Sequence, residues 1–115
     1  MWTPLRPTPP IPDYESGHAI QGGAAARVLK RFFRRDRIRF KTCSLTLPEE
    51  EQPCGGPSEV LRSFNSFSEA ANENGVSRIM VGFQFRDAVV QEIGHGRKIG
   101  DWTFRTRLEP LKEDR

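Results

Sequence analysis

Long hydrophobic runs are missing from this sequence. Its longest apolar stretches are a few residues, such as Ile79-Met80-Val81, far short of the roughly 18 that a membrane span needs. The opening MWTPLRPTPPIP has no apolar core segment of the kind a secretion signal carries. No membrane partner is expected, and a cytoplasmic location is the default. Histidine and cysteine are scarce, with two of each. No Cys or His pair has metal-ligand spacing, so no metal site is expected. Cys43 and Cys54 could close one small loop, but such a spacing is unspecific. Two free thiols in a reducing compartment is the preferred reading.

What is present is polar and basic. The 115 residues fit one domain at most, with a thin core, and 36% of them are hydrophobic. Net charge is +3, and the positive charge is clustered: Arg27 to Lys41, RVLKRFFRRDRIRFK, holds eight Lys/Arg against one Asp. Such a block could bind a polyanion. The ordinary expectation is a solvated helix face running into a strand, which makes nucleic acid an unlikely partner.

Residues 1–15 hold five of the nine prolines and read as an extended leader, since proline removes a donor and blocks a helix. From Ser16 to about Arg35 the pattern turns helical: Ser16 suits an N-cap, and Ile20, Ala24, Val28/Leu29 and Phe32 recur at three- to four-residue spacing. Within it, Gly22-Gly23-Ala24-Ala25-Ala26 is a costly run for a helix, and makes sense where another helix or a ligand must come close. Residues 38–47 favour a strand, 48–58 an acidic turn-rich loop, and Val60–Phe64 the returning strand of a hairpin.

Ser66-Phe67-Ser68-Glu69 matches a capping box and opens a short helix to about Glu73, with Asn74-Gly75 as its stop. A longer helix is expected from about Ser77 to Gly94. On it, Ser77, Val81, Gln84, Ala88 and Gln91 share one face, and Gly82, Phe85, Val89 and Ile93 a more apolar one. Past Gly94-His95-Gly96 the chain runs polar, Arg105 to Arg115 reads as a charged tail, and His95 reads as a surface histidine. Phe32, Phe33, Phe64, Phe67, Phe83 and Phe85 ask for more partner surface than so few helices offer. The fold class is mainly α, a partial helical bundle with a small β-hairpin.

The stretch PDYESGHAI carries the chemistry. A helix start offers unpaired N–H groups and partial positive charge to an anion. Serine adds a hydroxyl, glycine lets a ligand approach, and histidine can move a proton near neutral pH. Alone, Ser16-Gly17-His18 reads as an ordinary capped helix start.

Together with a second segment it reads differently. TPPIPDYESGHAIQGGAAARVL, followed about fifty residues later by SFSEAANENGVSRIMVGFQFRDAV…GHGRKIGDW, resembles the C-terminal part of a vanadium-dependent haloperoxidase. The resemblance is to the soluble bacterial branch of the superfamily shared with type 2 phosphatidic acid phosphatases and bacterial acid phosphatases. It covers Trp2 to about Trp102, so that residues 16–104 would be the domain part and 105–115 the tail. It implies a helical bundle around a phosphate or vanadate pocket built from three motifs: K-x6-R-P, P-S-G-H and S-R-x5-H-x3-D.

Carried over, Ser16, Gly17 and His18 match the second motif, with Glu15 where its proline stands. Ser16 and Gly17 would bind the anion's oxygens and His18 would be the general acid or base. Ser77 and Arg78 match the start of the third motif, where the arginine pairs with the oxyanion. Gln84 stands where the histidine belongs that is the phosphatase nucleophile and the vanadium ligand. Glutamine has no nucleophilic nitrogen. The motif's aspartate falls on Ala88, with Asp87 one residue early and about 100° away round a helix. Arg6-Pro7 imitates the R-P of the first motif, whose lysine would precede Met1.

The resemblance therefore implies a haloperoxidase-like or acid-phosphatase-like protein, truncated upstream and catalytically impaired, with vanadate the family cofactor and none bound tightly here. A partner chain or a missing N-terminal part would have to supply the first motif. A second reading keeps a weakened reaction carried by His18 alone or with His95, and a third is a non-enzymatic anion- or nucleic-acid-binding module that uses residues 27–41.

Overall fold

The computed structural model describes residues 1–44, 54–57 and 59–111. Three helices and one hairpin follow the leader: α1 (Gly17–Phe33), β1 (Phe40–Cys43), β2 (Leu61–Phe64), α2 (Phe67–Met80) and α3 (Arg86–Arg107). The fold is mainly α with a small two-stranded antiparallel sheet, as expected.

Helix α1 starts where its cap directs. Ser16 has extended backbone and its side chain accepts from the Ala19 N–H, satisfying one of the donors a helix start leaves open. It ends at Arg34, whose φ of 56° is left-handed and whose N–H returns to the Arg31 carbonyl. The small-residue run does bring another helix close, and that helix is α3. A methyl group on Gly96 would lie 2.2 Å from the Ile20 carbonyl oxygen, and one on Gly23 would lie 2.4 Å from that of Ile93. The helices meet backbone to backbone, with room for glycine only.

Both helix boundaries expected around residues 74–94 are corrected. Asn74-Gly75 does not stop α2, which runs through to Met80. Gly75 instead packs on α3, where an added Cβ would sit 2.9 Å from Val89 Cγ1. Asn74 donates its side-chain amide to the His18 carbonyl at 2.8 Å, tying α2 to α1. The expected helix over 77–94 is two helices with a turn between them. Gly82 takes φ 86°, a conformation β-carbons disfavour, and the Phe83 and Gln84 N–H groups both bond the Arg78 carbonyl. Helix α3 then continues through Gly94-His95-Gly96 to Arg107, so the polar stretch after Gly94 is helical. Val89 and Ile93 are buried as the apolar face required, whereas Phe85, at the turn, is exposed.

Ala19, Val89 and Ile93 form one core cluster, with Ile79 packed against it; Ala26, Phe67 and Ala71 form another, under Ile38 and Phe40. The hairpin pairs Phe40 with Phe64 and Cys43 with Leu61, and sets a ladder of rings, Phe64–Phe40–Phe67–Phe33, with centroids 5.3, 5.7 and 5.9 Å apart. Part of the aromatic surplus is absorbed there; Phe32, Phe85 and the outer ring of the ladder, Phe33, stay exposed.

The capping box forms with its return bond shifted by one residue: Glu69 N–H donates to Ser66 Oγ, and the Glu69 carboxylate accepts from the N–H of Asn65, just before the cap. Asp36 holds the same helix start, accepting from the Ser68 N–H and hydroxyl at 3.1 and 3.0 Å.

The expectation of free thiols is also corrected. Cys43 and Cys54 form a disulfide, with Cα atoms 5.8 Å apart. Cys43 ends the β1 ladder, and the chain returning toward β2 brings Cys54 back to it. Spacing alone could not show that return. Most of the strand and loop expected over 45–58 lies outside the described residues.

The leader has no helix or strand, and it lies on the α2–α3 turn: the Leu5 N–H donates to the Val81 carbonyl at 3.2 Å, and the Trp2 ring covers Gly82. No helix among the described residues is long and apolar enough to cross a membrane.

Candidate functional site

Ser16 and Gln84 meet at the centre of the site. The Ser16 hydroxyl donates to Gln84 Oε1 at 2.7 Å, and Ser16 is fully buried while Gln84 is 7% exposed. The other end of the amide is also engaged, Gln84 Nε2 donating to the Asp13 carbonyl at 3.0 Å. Asp13 then closes the turn, its Oδ1 accepting from the Phe85 N–H at 2.7 Å. With both ends satisfied, the amide is locked in one orientation.

Asp13 is the site residue that sequence reasoning missed. Its place three residues before Ser16 was visible, but its partners lie more than 70 residues away.

His18 and Arg78 stand on the rim. His18 is exposed on the first turn of α1. Its imidazole is held below the ordinary histidine range, first by partial burial and then by the positive charge of Arg78, both of which favour the neutral ring. Arg78 is half-buried, with its guanidinium over the Phe83 ring at 4.8 Å from the centroid. Gly17 is exposed, and a Cβ there would meet nothing within 4 Å, so the helix start is open on that side. Ser16, His18, Arg78 and Gln84 are therefore gathered at one end of the bundle.

Neighbouring positions sort as their backbone dictates. Ala88, at the aspartate position, is buried against the core, and Asp87 points outward and exposed in the first turn of α3. Asp87 makes none of the bonds to residue 84, which fall to Ser16 and Asp13. Beside Gln84 an open cavity of about 540 Å³ is lined by Trp2, Ile79, Phe83 and Phe85. His95 lies mid-helix, with Nδ1 3.2 Å from Glu92 Oε2, remote in role from His18.

The basic stretch is partly spoken for. Asp101 on α3 accepts from Arg27 Nε at 2.8 Å and Arg31 Nε at 2.7 Å, and the two guanidiniums hold its carboxyl well below the usual range. Arg35, Arg37 and Arg39 line a separate open cavity beside Ile38 and Asn65.

The first helix of the bundle opens on Ser-Gly-His and is faced by an arginine at the end of a second. The chain belongs to the family described as the VCPO second helical-bundle domain, whose model matches residues 1–113. It is 29% identical to vanadium chloroperoxidase of Curvularia inaequalis over 68% of this chain and 17% of that protein. A bacterial vanadium-dependent iodoperoxidase structure superposes with TM-score 0.71 at 38% identity, over 90% of this chain and 23% of that one. Holo bacterial vanadium-dependent chloroperoxidase shares the fold, with TM-score 0.70 at 20% identity, over 90% of this chain and 22% of that one. The chain thus spans less than a quarter of the length of these relatives.

The donor set does not fit covalently held vanadate. Residue 84 presents an amide whose nitrogen is conjugated and hydrogen-bonded to Asp13, so it has no lone pair for a metal. The Ser16 hydroxyl, a natural donor to an oxyanion, is spent on Gln84.

Proposed function

We propose that this chain is a haloperoxidase-like domain that keeps the frame of an anion site but is catalytically impaired. The observation that carries the reading is the buried Ser16–Gln84 hydrogen bond. It occupies the serine donor and puts an amide where the reaction needs a nucleophilic imidazole nitrogen. What remains for a phosphate- or vanadate-like oxyanion is the charge of Arg78, the open helix start at Gly17 and a His18 imidazole able to give or take a hydrogen bond. Each charge-assisted contact that is lacking weakens anion binding by roughly 1.5–3 kcal/mol.

The test is calorimetric titration of the chain with orthovanadate and, separately, inorganic phosphate, on the wild type and on Gln84→His. The expected result is no binding tighter than millimolar by the wild type, and vanadate binding gained by the histidine variant. Micromolar vanadate binding by the wild type, or bromide oxidation with hydrogen peroxide, would overturn the proposal.

The third reading, a polyanion-binding module on residues 27–41, draws support from the cavity among Arg35, Arg37 and Arg39. It is weakened by the engagement of Arg27 and Arg31 with Asp101. Binding to a nucleic acid that falls steeply with salt would favour it.

A further inference from the structure

We propose that Glu15, Glu92 and His95 form a binding site for a divalent first-row cation of the Zn2+ type. Glu15 precedes the cap of α1, and Glu92 and His95 are three residues apart on α3, so they project from the same helix face. One ligand atom from each lies within 4.8 Å of the others.

Burial and charge make this more than a chance meeting. Glu92 is 1% exposed, and a carboxylate withdrawn from water needs a cation or a full set of hydrogen bonds. Among the described residues the ion-pair partner of Glu92 is His95 alone, and no Lys or Arg reaches it. Glu15 brings a second carboxylate to the same point. Two like charges and one imidazole are poorly balanced by themselves; a divalent ion neutralises the pair and takes all three as ligands.

The geometry is close to what such an ion asks. His95 Nδ1 and Glu92 Oε2 are 3.2 Å apart, against roughly 3.3 Å between two ligands of a tetrahedral ion with bonds of about 2.0–2.1 Å. The ion would replace the proton shared by these two atoms. Glu15 is exposed, so its side chain can swing in over the remaining distance, and water completes the shell. The Tyr14 hydroxyl lies against Glu92. A hydrogen bond to a ligating carboxylate is the usual support. Imidazole with two carboxylates suits zinc and its first-row neighbours, whereas calcium and magnesium select oxygen-only shells.

None of these ligands belongs to the Ser16–Gln84 pair, so the two proposals fail separately. The test is calorimetric titration of the chelator-stripped chain with ZnCl2, paralleled by Co2+ titration read in the visible d–d bands. One ion should bind per chain. His95→Ala and Glu15→Gln should each weaken binding about tenfold or more. Both side chains are exposed, and unchanged circular dichroism melts of the ion-free variants establish that they fold. Absence of Zn2+ binding to the wild type, or binding that either variant leaves unchanged, would overturn the site.

Discussion

Ser16 and Gln84, 68 residues apart in sequence, share a hydrogen bond of 2.7 Å in the interior of the bundle. The same serine caps α1. One hydroxyl thus starts a helix and pins the turn that leads into α3, so the site and the fold are fastened at one atom.

Ser16→Ala should therefore be costly. The cap contributes about 1 kcal/mol, and a buried Gln84 oxygen left without its donor adds about 1–3 kcal/mol. Urea denaturation should show a loss of about 2–4 kcal/mol, and a loss under 0.5 kcal/mol would contradict the role given to this bond.

The α1–α3 contact predicts opposite outcomes for two glycines of one helix. Gly96→Ala puts a methyl group against the Ile20 carbonyl and should destabilise by at least about 1–3 kcal/mol, the usual cost of overpacking. Gly94→Ala meets nothing within 4 Å and should stabilise by about 0.5–1 kcal/mol through helix propensity. Thermal melts of both variants check the difference in sign.

Asp101 gives a pH dependence. Its carboxyl is held below the usual range by Arg27 and Arg31, so the unfolded chain binds the proton more readily than the folded one. The stabilisation is complete above the unfolded value, near pH 4, and is lost as pH falls through the folded one. With the arginines partly in solvent, Asp101→Asn should cost about 1 kcal/mol at pH 7. The gap between variant and wild type should narrow progressively below pH 4.

His18 titrates in the opposite setting. Burial and Arg78 disfavour its protonated form, so protonation costs stability as pH drops below the ordinary histidine value. In an NMR titration its pKa should lie below 6.5. Arg78→Ala should move it part of the way up, because burial, the larger cause, remains.

Cutting the Cys43–Cys54 bridge should loosen the hairpin. A closed loop of this size contributes up to about 3 kcal/mol by restricting the unfolded chain. Reduction, or replacement of both cysteines by serine, should lower the melting temperature. An unchanged melt in reductant would show that the bridge adds nothing.

Local chemistry was legible in the sequence because it acts over one or two turns. The serine caps at 16 and 66, the strand pair around residues 40 and 64, and the meeting of Ser16, Gly17 and His18 at a helix start all follow from neighbours in the chain. The third-motif resemblance also placed Arg78 and Gln84 beside them.

Other features depended on partners far along the chain. Asn74-Gly75 carries the signature of a helix stop, yet the gain from packing Gly75 on Val89 outweighs local propensity, and α2 runs on. Gly94-His95-Gly96 looked like a polar exit and is mid-helix, since Gly96 is what lets α3 touch α1. The disulfide, the Asp13 clasp on Gln84 and the Glu15–Glu92–His95 cluster join residues 11 to 80 positions apart. Sequence by itself determined the family, the starts of α1 and α2 and the residue types at the site. The tertiary structure decided where two helices end and which polar groups find one another, because those outcomes turn on contacts that form only when distant segments close on a common core.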